Sequence, residues 1–409
     1  MHDVVIVGAG LAGLTCARRL QAGGAAVSVV EASDAVGGRV RTDLVEGFRL
    51  DRGFQVLLTA YPAAKQWLDY GRLDLKNFSA GALVWCDGAR HRVGDPWRSP
   101  GTLWATLRAP VGSLADKLRI ATLRKAARRG TLKELFVRPE TTALAKLRAH
   151  GFSERMIAQF MRPWLGGIFL EPELTTSSRM LEFVFRMFAE GHTAVPAAGI
   201  QAIPEQLAAG LPAGTVRLNA TAARIEPGAL WLASGERIAA REVVVAVDGT
   251  AAAGLLPEIT APAWRAVTCI YFAAPASPLG EPTLMLNGAG AGFVNNLVVM
   301  SDVAPGYAPP GQALISVSVL GDVPEGEGRL TERVRAELKE WFSAEVAAWR
   351  WLRTYRVRRA LPVRWPLVMT AAKAVRLGVW LAGDFTATAS IQGAMESGEG
   401  VAEAILAKG

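Results

Sequence analysis

The feature that most constrains this chain is a glycine-rich turn between a short apolar run and a helical pattern, in the stretch VVIVGAGLAGLTCARRL. Val4–Val7 predicts a buried strand, and Leu11–Leu20 predicts a helix. Gly8, Gly10 and Gly13 follow the spacing G-x-G-x-x-G. The first glycine permits a tight bend, the second lets the backbone approach a pyrophosphate, and the third allows helix and strand to pack closely. The stretch therefore predicts a strand–turn–helix unit that holds phosphate groups at the helix N-terminus.

A second strand and an acidic residue follow in the order expected of a dinucleotide-binding unit. Ala26–Val30 is a second apolar run, and Glu31 closes it. A carboxylate at this position hydrogen-bonds a ribose 2′-hydroxyl and repels a 2′-phosphate. We therefore predict that the unit binds a dinucleotide other than NADP.

The segment EASDAVGGRVRT indicates which dinucleotide is bound. Gly37, Gly38 and Arg39 follow the acidic residue. Two glycines let the chain fold back over a cofactor, and an arginine neutralises pyrophosphate charge. The arrangement resembles the extended motif of the superfamily that contains flavin-containing amine oxidases, protoporphyrinogen oxidases and phytoene desaturases. That resemblance implies FAD.

The stretch GVWLAGDFTATASIQGAMESGEGVAEAIL near the C-terminus carries a second match to this superfamily. Val379–Ala382 predicts a strand, Gly383 and Asp384 follow it, and a helix is predicted from about Gln392 to Leu406. By resemblance, Asp384 binds the ribityl or pyrophosphate part of FAD. The backbone at residues 391–394 would face the N1–C2=O edge of the flavin, where the helix dipole stabilises negative charge.

Two glycines lie inside that predicted C-terminal helix. Gly398 and Gly400 each cost about 1 kcal/mol relative to alanine in a helix interior. We therefore expect the helix to approach another backbone closely at these positions.

A third match lies at residues 194–208, AVPAAGIQAIPEQLA. It resembles the superfamily's P-x-G-G-M entry into a helix, with Ala198 in place of glycine and Ile200 in place of methionine. In relatives the following strands contact the adenine, which by resemblance places Ala222 near the ring. Some relatives attach the flavin through a C-terminal cysteine, but FTATASIQG has none, so FAD is expected to bind non-covalently. The predicted cofactor-binding residues are Gly8, Gly10, Leu11, Ala12, Gly13, Glu31, Ala32, Gly37, Gly38, Arg39, Ala222, Gly383, Asp384, Ile391, Gln392 and Ala394.

The order of the three matches predicts an α/β fold with two interleaved domains. By resemblance, residues 1–75, 195–255 and 373–409 form a discontinuous, Rossmann-like FAD-binding domain of the GR2 type. Residues 76–194 and 256–372 form an α+β substrate-binding domain over the flavin. The chain length of 409 residues suits two or three domains.

The first insert concentrates positive charge in a chain of net charge +8. Residues 97–133 hold nine arginines and lysines with Asp116 as the one acid, and tryptophans and leucines lie among them. A basic amphipathic helix of this kind binds an anionic membrane surface. A solvated helix with its leucines in the core is the alternative. No nucleic-acid partner is predicted, because no recognition motif accompanies the charge.

Three further features bear on location and metals. No run approaches the ~20 apolar residues of a membrane span, and we identify no signal peptide. We therefore predict a cytoplasmic protein, with peripheral membrane association left open by the basic stretch. Cys16, Cys86 and Cys269 lie far apart and the histidines are scattered, so no metal site is predicted.

The predicted function is FAD-dependent dehydrogenation of a small hydrophobic substrate, such as a polyene, terpenoid or tetrapyrrole, by hydride transfer to flavin N5. Many amine oxidases of the superfamily place a lysine near N5, but no lysine occurs between Lys146 and Lys339. A flavin amine oxidase that uses O2 is therefore the second hypothesis, and a non-catalytic flavin- or lipid-binding protein is the third. No catalytic side chain is identified, and O2 and a quinone are both open as the electron acceptor.

Overall fold

The computed structural model describes residues 2–369 and 371–408. The strands of these residues are β1 His2–Val7, β2 Val27–Val30, β3 Thr42–Val45, β4 Phe48–Asp51, β5 Leu57–Leu58, β6 Leu75–Asn77, β7 Gly81–Cys86, β8 Ala89–Gly94, β9 Thr193–Pro196, β10 Val216–Arg217, β11 Ala222–Glu226, β12 Ala229–Leu232, β13 Arg237–Val245, β14 Trp264–Ala274, β15 Leu284–Asn287, β16 Asn296–Val299, β17 Ala313–Leu320, β18 Arg350–Pro362, β19 Ala374–Arg376 and β20 Val379–Leu381. The helices are α1 Leu11–Ala22, α2 Pro62–Trp67, α3 Leu103–Arg108, α4 Leu114–Ala127, α5 Leu132–Phe136, α6 Ala143–Ala149, α7 Glu154–Met156, α8 Arg162–Phe169, α9 Ser178–Glu190, α10 Ala202–Ala209, α11 Gly249–Leu255, α12 Met300–Val303, α13 Glu327–Phe342 and α14 Ile391–Leu406.

The first large sheet is built around the N-terminal strand. β10, β2, β1 and β13 run parallel in that order, and β20 extends the parallel part beyond the C-terminal half of β13. β12 pairs antiparallel with the N-terminal half of β13, and β11 pairs with β12. The apolar run of β1 is buried, as a strand inside a parallel sheet requires. The prediction of an α/β fold with a Rossmann-like domain is therefore confirmed.

The strand register brings the sequence motifs to one edge of this sheet. Val7 pairs with Val30 and with Val245, and Val245 pairs with Leu381. The residues that follow each of these strands therefore meet at the carboxyl edge, where open parallel sheets bind their ligands.

The second large sheet is mostly antiparallel and has the order β18-β14-β17-β16-β15-β7-β8. Its strands come from the two inserted segments, residues 76–194 and 256–372, and the parallel contact of β15 with β7 joins them. α13 covers one face with Leu330, Val334 and Leu338, which are buried at helical spacing. The second sheet and α13 thus share a hydrophobic core of their own.

The basic stretch at residues 97–133 does not form one amphipathic helix. α3 ends at Arg108, and α4 begins at Leu114 after Ser113, whose hydroxyl accepts a hydrogen bond from the Asp116 backbone N–H. The Asp116 carboxylate is buried and in turn accepts from Ser113 and Ser153. The acid is therefore a helix-capping group, and the stretch turns a corner between two short helices.

The C-terminal helix α14 packs directly on α1. A Cβ at Gly398 would lie 2.0 Å from the backbone oxygen of Ala12, so the close approach expected at this glycine is present. The same expectation is wrong for Gly400, where a Cβ would meet only Ala372 Cβ at 3.8 Å. The contact between the two helices joins the first and last segments of the chain.

Candidate cofactor and substrate site

Two glycines of the N-terminal turn are required by the fold itself. Gly8 has φ +105°, and a Cβ there would lie 2.7 Å from the carbonyl oxygen of Ala246. A Cβ at Gly13 would lie 2.0 Å from the carbonyl oxygen of Gly8. Any side chain at either position therefore clashes with backbone, as predicted for a tight turn packed against a helix.

Gly10 differs from these two glycines. Its backbone is extended, with φ −78° and ψ −179°, and a Cβ there would meet no atom within 4 Å. Neither conformation nor packing against the described residues explains a glycine at this position. Gly10 precedes the first turn of α1, and no side chain caps this helix. The open space before uncapped N–H groups fits a phosphate group.

The acidic residue at the end of β2 lies against the same turn. One oxygen of Glu31 accepts a hydrogen bond from the Ala9 N–H at 2.7 Å. The other accepts from the N–H and hydroxyl of Ser33, at 2.9 and 2.7 Å. Oε2, which accepts only the Ala9 N–H among the described donors, keeps acceptor capacity for one more, because a carboxylate oxygen has two lone pairs. The carboxylate is thus held at the edge of the turn, in a position that suits ribose hydroxyls.

The segment with two glycines lies against the N-terminal turn. The Gly37 N–H donates to the Ala9 carbonyl at 2.8 Å. A Cβ at Gly38 would lie 3.7 Å from Gly10 Cα, and both Gly37 and Gly38 have positive φ. The next residue, Arg39, is therefore carried past the space beside Gly10.

Arg39 and Asp384 form an ion pair. Arg39 Nη2 donates to Asp384 Oδ1 at 2.6 Å, and Nη1 donates to the Ala360 carbonyl at 2.8 Å. The Asp384 side chain is buried, whereas the Arg39 side chain keeps a third of its surface exposed. The guanidinium also lies 5.4 Å from the ring centroid of Trp264. The motifs at the two ends of the chain are therefore in direct contact.

The C-terminal motif continues into the first turn of α14. Ser390 Oγ accepts from the Gly393 N–H at 3.0 Å and caps the helix. The Gln392 side chain is committed elsewhere, since its Oε1 accepts from the buried Ala63 N–H at 2.9 Å. Ile391 and Ala394 are half-buried against the core. If residues 391–394 bind the cofactor, they would therefore do so through their backbone groups.

The other predicted cofactor-binding residues make fewer contacts with the turn and with the Arg39–Asp384 pair. The Leu11 and Ala12 side chains are buried, so only their backbone could contact a ligand. Ala32 is exposed beside Glu31. Ala222 begins β11, and the preceding segment is tied to Glu31 by the hydrogen bond from the Ala220 N–H to the Glu31 carbonyl at 2.8 Å. The segment that leads into Ala222 therefore contacts Glu31, although no hydrogen bond joins Ala222 itself to Glu31 among the described residues.

Asp51 was not predicted from the sequence. It is buried, and it accepts hydrogen bonds from Thr42, from the Ile200 N–H and from the Tyr307 hydroxyl. Burial raises its pKa to about 6. The sequence signal that could have indicated Asp51 is its place as the last residue of the alternating stretch FRLD. Asp51 thus connects β4 to the segment after Gly199, and its backbone carbonyl accepts from the Tyr271 hydroxyl of the second sheet at 2.8 Å.

Gln55 continues this connection towards the cofactor motifs. Its amide Nε2 donates to the Arg39 carbonyl at 2.9 Å. The segment after β4 therefore lies beside the Arg39–Asp384 pair. No sequence motif indicated a role for Gln55.

A narrow cleft of about 20 Å³ lies beside Ala389, two residues before α14 begins. Most of its lining is apolar, and the lining residues are Phe169, Thr176, Ser177, Met180, Arg265, Leu361, Pro362, Arg364, Leu367 and Ala389. A wider opening of about 360 Å³ shares Thr176, Arg265 and Arg364 with it. We call these three shared residues the neck. The cleft thus joins the C-terminal motif to the surface.

Comparisons with known proteins agree with this arrangement. A model of the family described as "Flavin containing amine oxidoreductase" matches residues 11–406. An L-amino-acid oxidase from Crotalus adamanteus is 35% identical over 129 residues, which are 31% of this chain and 25% of that protein. The similarity to this curated relative therefore spans about a quarter of its length.

Solved structures are similar over nearly the whole chain. An oxidoreductase from Methanosarcina mazei has a TM-score of 0.78 at 18% identity, and 98% of this chain and 99% of that chain are covered. An enzyme provisionally named a protoporphyrinogen oxidase, from Exiguobacterium sp. 255-15, has a TM-score of 0.72 at 16% identity, with 99% of each chain covered. At these identities the structures establish the fold. From the family match, the chain belongs to the flavin containing amine oxidoreductase family.

Proposed function

We propose that this chain holds FAD non-covalently along the carboxyl edge of its first sheet. The observation that carries the proposal is the open space at Gly10, because the described residues neither fill it nor explain the glycine. Glu31 at one side suits the ribose of an adenosine, and Arg39 at the other suits the pyrophosphate. Cys16, Cys86 and Cys269 are buried and lie outside the C-terminal motif, which supports non-covalent attachment.

We propose further that the substrate is an apolar molecule bound in the cleft beside Ala389. When bound, FAD supplies a hydride acceptor. Met180, Leu361 and Leu367 would hold the substrate by burial of apolar surface, at roughly 25 cal/mol per Å². Among the residues that the structure describes, the lining of the cleft includes no carboxylate, histidine or lysine. Its arginines stay protonated and do not act as bases, so the described lining orients the substrate and leaves proton removal to solvent.

Oxidation of an amine is the second candidate. The similarity to an L-amino-acid oxidase favours it, although that similarity spans only a quarter of the relative. Against it stand the apolar lining of the cleft and the absence of lysine between Lys146 and Lys339. We therefore place dehydrogenation of a carbon–carbon bond first.

Anaerobic reduction of the bound flavin separates the two candidates. Polyenes, terpenoids and reduced tetrapyrroles are mixed with the purified protein in one series, and primary amines and L-amino acids in another. The proposal predicts loss of the visible flavin bands in the first series alone. Bleaching by amines alone, with release of hydrogen peroxide once air is admitted, would contradict it.

We also propose that the protein works at an anionic membrane surface. Five large side chains near the α3–α4 corner are exposed, namely Trp97, Leu103, Trp104, Leu114 and Leu118, and we call this set the apolar corner. Trp104 and Leu118 expose 69% and 72% of their surface. Apolar side chains displayed next to arginines and lysines suit the interface of an anionic bilayer. In the described part of the chain, no helix is both long and apolar enough to cross a membrane.

A further inference from the structure

The cleft beside Ala389 is too narrow, in the conformation described above, for the substrate class proposed for it. It holds about 20 Å³, whereas the opening on the other side of the neck holds about 360 Å³. A space as small as the cleft accommodates about one water molecule. An apolar ring or chain therefore reaches Ala389 only if part of the wall moves.

A segment that borders both spaces lies outside the helices and strands. Residues 363–369 directly follow β18, and we call them the strap. The first three residues of the strap line the opening, and Leu367 lines the narrow cleft. Leu367 is 2% exposed, whereas Trp365 and Val368 expose 52% and 49% of their surface. The strap therefore lies at the surface and inserts one apolar side chain into the cleft.

The strap has few main-chain contacts with the rest of the protein. The Val363 N–H donates to the Ala263 carbonyl at 2.8 Å. In the part of the chain that the structure describes, residues 364–369 make no hydrogen bond between main-chain groups. The loop that carries Thr176 borders the same two spaces, but the Thr176 carbonyl accepts from the Ala143 N–H at 2.7 Å. Of these two segments, the strap is the one that opens with less loss of backbone hydrogen bonding.

One ion pair holds Leu367 in its place. The Leu367 N–H donates to Glu140 Oε1 at 2.8 Å, and the Leu367 carbonyl accepts from Arg179 Nη1 at 3.0 Å. Glu140 Oε2 and Arg179 Nη1 are 3.5 Å apart, and both side chains are mostly buried. Arg179 is fixed in turn, since its Nε donates to the Arg138 carbonyl at 2.7 Å. Both backbone groups of Leu367 are thus bound by charged side chains, which form stronger hydrogen bonds than neutral ones.

We propose that the strap is a gate that moves outward to admit an apolar substrate, with Leu367 as its plug and the Glu140–Arg179 pair as its latch. In the closed position, Leu367 fills the space between the neck and Ala389 and excludes water from it. This inference rests on the proposed function, because it describes how the substrate enters the same cleft. It identifies Leu367 as the residue that limits entry.

The kinetics of indole binding to the flavin-loaded protein test the gate. Indole is an apolar probe, and its binding is followed by stopped-flow absorbance of the flavin bands, so that no turnover is needed. When a gate must open before a ligand enters, the observed binding rate levels off as the ligand concentration rises. The wild-type protein is expected to show this plateau.

Two variants alter the plug and the latch. Leu367→Ala is expected to remove the plateau, because the side chain that fills the cleft is shortened. Glu140→Gln is expected to raise the plateau rate by about tenfold, because a neutral amide oxygen binds the Leu367 N–H more weakly than a carboxylate does and no longer pairs with Arg179.

Each of these variants has a matched control. Val368→Ala shortens a neighbouring side chain of the strap that is exposed and does not line the cleft. Glu281→Gln breaks a half-buried ion pair with Arg92 in the second sheet. Both controls are expected to bind indole at the wild-type rates.

Hydrogen exchange provides a second measurement that needs no ligand. The amide groups of the strap are expected to exchange about tenfold faster in Glu140→Gln than in the wild-type protein, because local opening exposes them more often. Glu281→Gln is expected to leave their exchange unchanged.

Three outcomes overturn the inference. The first is an indole binding rate that rises linearly with concentration in the wild-type protein and is unchanged in Leu367→Ala. The second is the absence of indole binding in both of these proteins, and the third is equal exchange of the strap in Glu140→Gln and the wild-type protein. Failure of the proposed function is distinct from these outcomes, because it appears as a flavin that no apolar substrate reduces although indole binds.

Discussion

Arg39 and Asp384 are 345 positions apart, yet the guanidinium and the carboxylate are joined by a hydrogen bond of 2.6 Å. Arg39 follows the two glycines that fold over the N-terminal turn, and Asp384 precedes the loop that leads to α14. Because the carboxylate is buried, the pair connects the two motifs inside the protein rather than at its surface. The first and last segments of the chain are in this way held as one binding site.

Asp384→Asn is expected to weaken this connection and flavin binding together. The variant leaves the Arg39 charge without its counter-ion, at a cost of about 1–3 kcal/mol in the free energy of unfolding, reduced from the fully buried case because Arg39 is partly exposed. Urea unfolding of the flavin-free protein measures stability, and absorbance measures flavin content. Arg217→Gln, which breaks the exposed pair with Glu236, serves as the control and should change neither. An Asp384→Asn protein with normal stability and flavin content would refute the connecting role.

The two glycines of α14 give a matched pair of variants. Gly398→Ala is expected to destabilise the protein by about 1–3 kcal/mol, since the new Cβ would force α14 away from the Ala12 carbonyl. Gly400→Ala is expected to be neutral or to stabilise by up to about 1 kcal/mol, because the Cβ finds ordinary contact and alanine favours the helix. Urea unfolding checks both variants. Equal effects would mean that the helices do not approach each other at Gly398.

Asp51 should make stability depend on pH in a recognisable direction. Burial raises its folded-state pKa to about 6, above the ordinary value of 3.8. The folded state therefore favours the protonated carboxyl. The contribution of Asp51 to the free energy of unfolding is full below about pH 4 and falls as the pH rises towards 6. In Asp51→Asn this loss is absent. The stability of the variant relative to the wild-type protein should rise by about 2–3 kcal/mol between pH 4 and 6.

Urea unfolding at several pH values between 4 and 7 provides this comparison. The constant offset from altered hydrogen bonds to Thr42 and Tyr307 cancels, because only the change with pH is compared. A difference between the two proteins that stays flat, or that runs the other way, would show that Asp51 does not carry the raised pKa.

The apolar corner can be tested with lipid vesicles. The wild-type protein is expected to sediment with vesicles that contain phosphatidylserine, and less so in high salt, because charged attraction is screened. Leu118→Ser should reduce the bound fraction several-fold. Leu377→Ser is the control, since Leu377 is equally apolar and fully exposed but lies in the turn between β19 and β20. Equal losses in both variants, or no binding by the wild-type protein at low salt, would remove the membrane proposal.

The residues proposed to bind the cofactor could be predicted from the sequence, whereas the residues that line the cleft could not. The motifs around Gly8, Glu31 and Asp384 are short-range, since Gly8 and Glu31 directly follow β1 and β2, Asp384 follows β20 after two residues, and parallel strands end at one edge. The cleft is assembled from Phe169, Met180 and residues near 265, 361 and 389, which no local pattern connects. Its one local signal was Arg265, a charge at the start of the otherwise buried strand β14.

The basic stretch shows a different limit. Its composition predicts an amphipathic helix, but the residues between Arg108 and Leu114 include Pro110 and Gly112, and the chain turns there. The exposed tryptophans and leucines lie on both sides of this turn. The charge pattern therefore identified an exposed basic surface. The conformation of that surface depends on the turn between α3 and α4, which the helical periodicity did not predict.

The flavin content of the wild-type protein and of Gly10→Val tests the central claim most directly. Both proteins are purified, soaked in excess FAD and passed over a desalting column, and their visible spectra and unfolding midpoints are recorded. The account predicts one non-covalently bound, acid-extractable FAD per wild-type chain. It predicts a nearly colourless Gly10→Val protein whose stability lies within about 1 kcal/mol of the wild-type value, because a Cβ at this position meets no described atom within 4 Å. A colourless wild-type protein, or a Gly10→Val protein that is fully loaded with flavin, would contradict it.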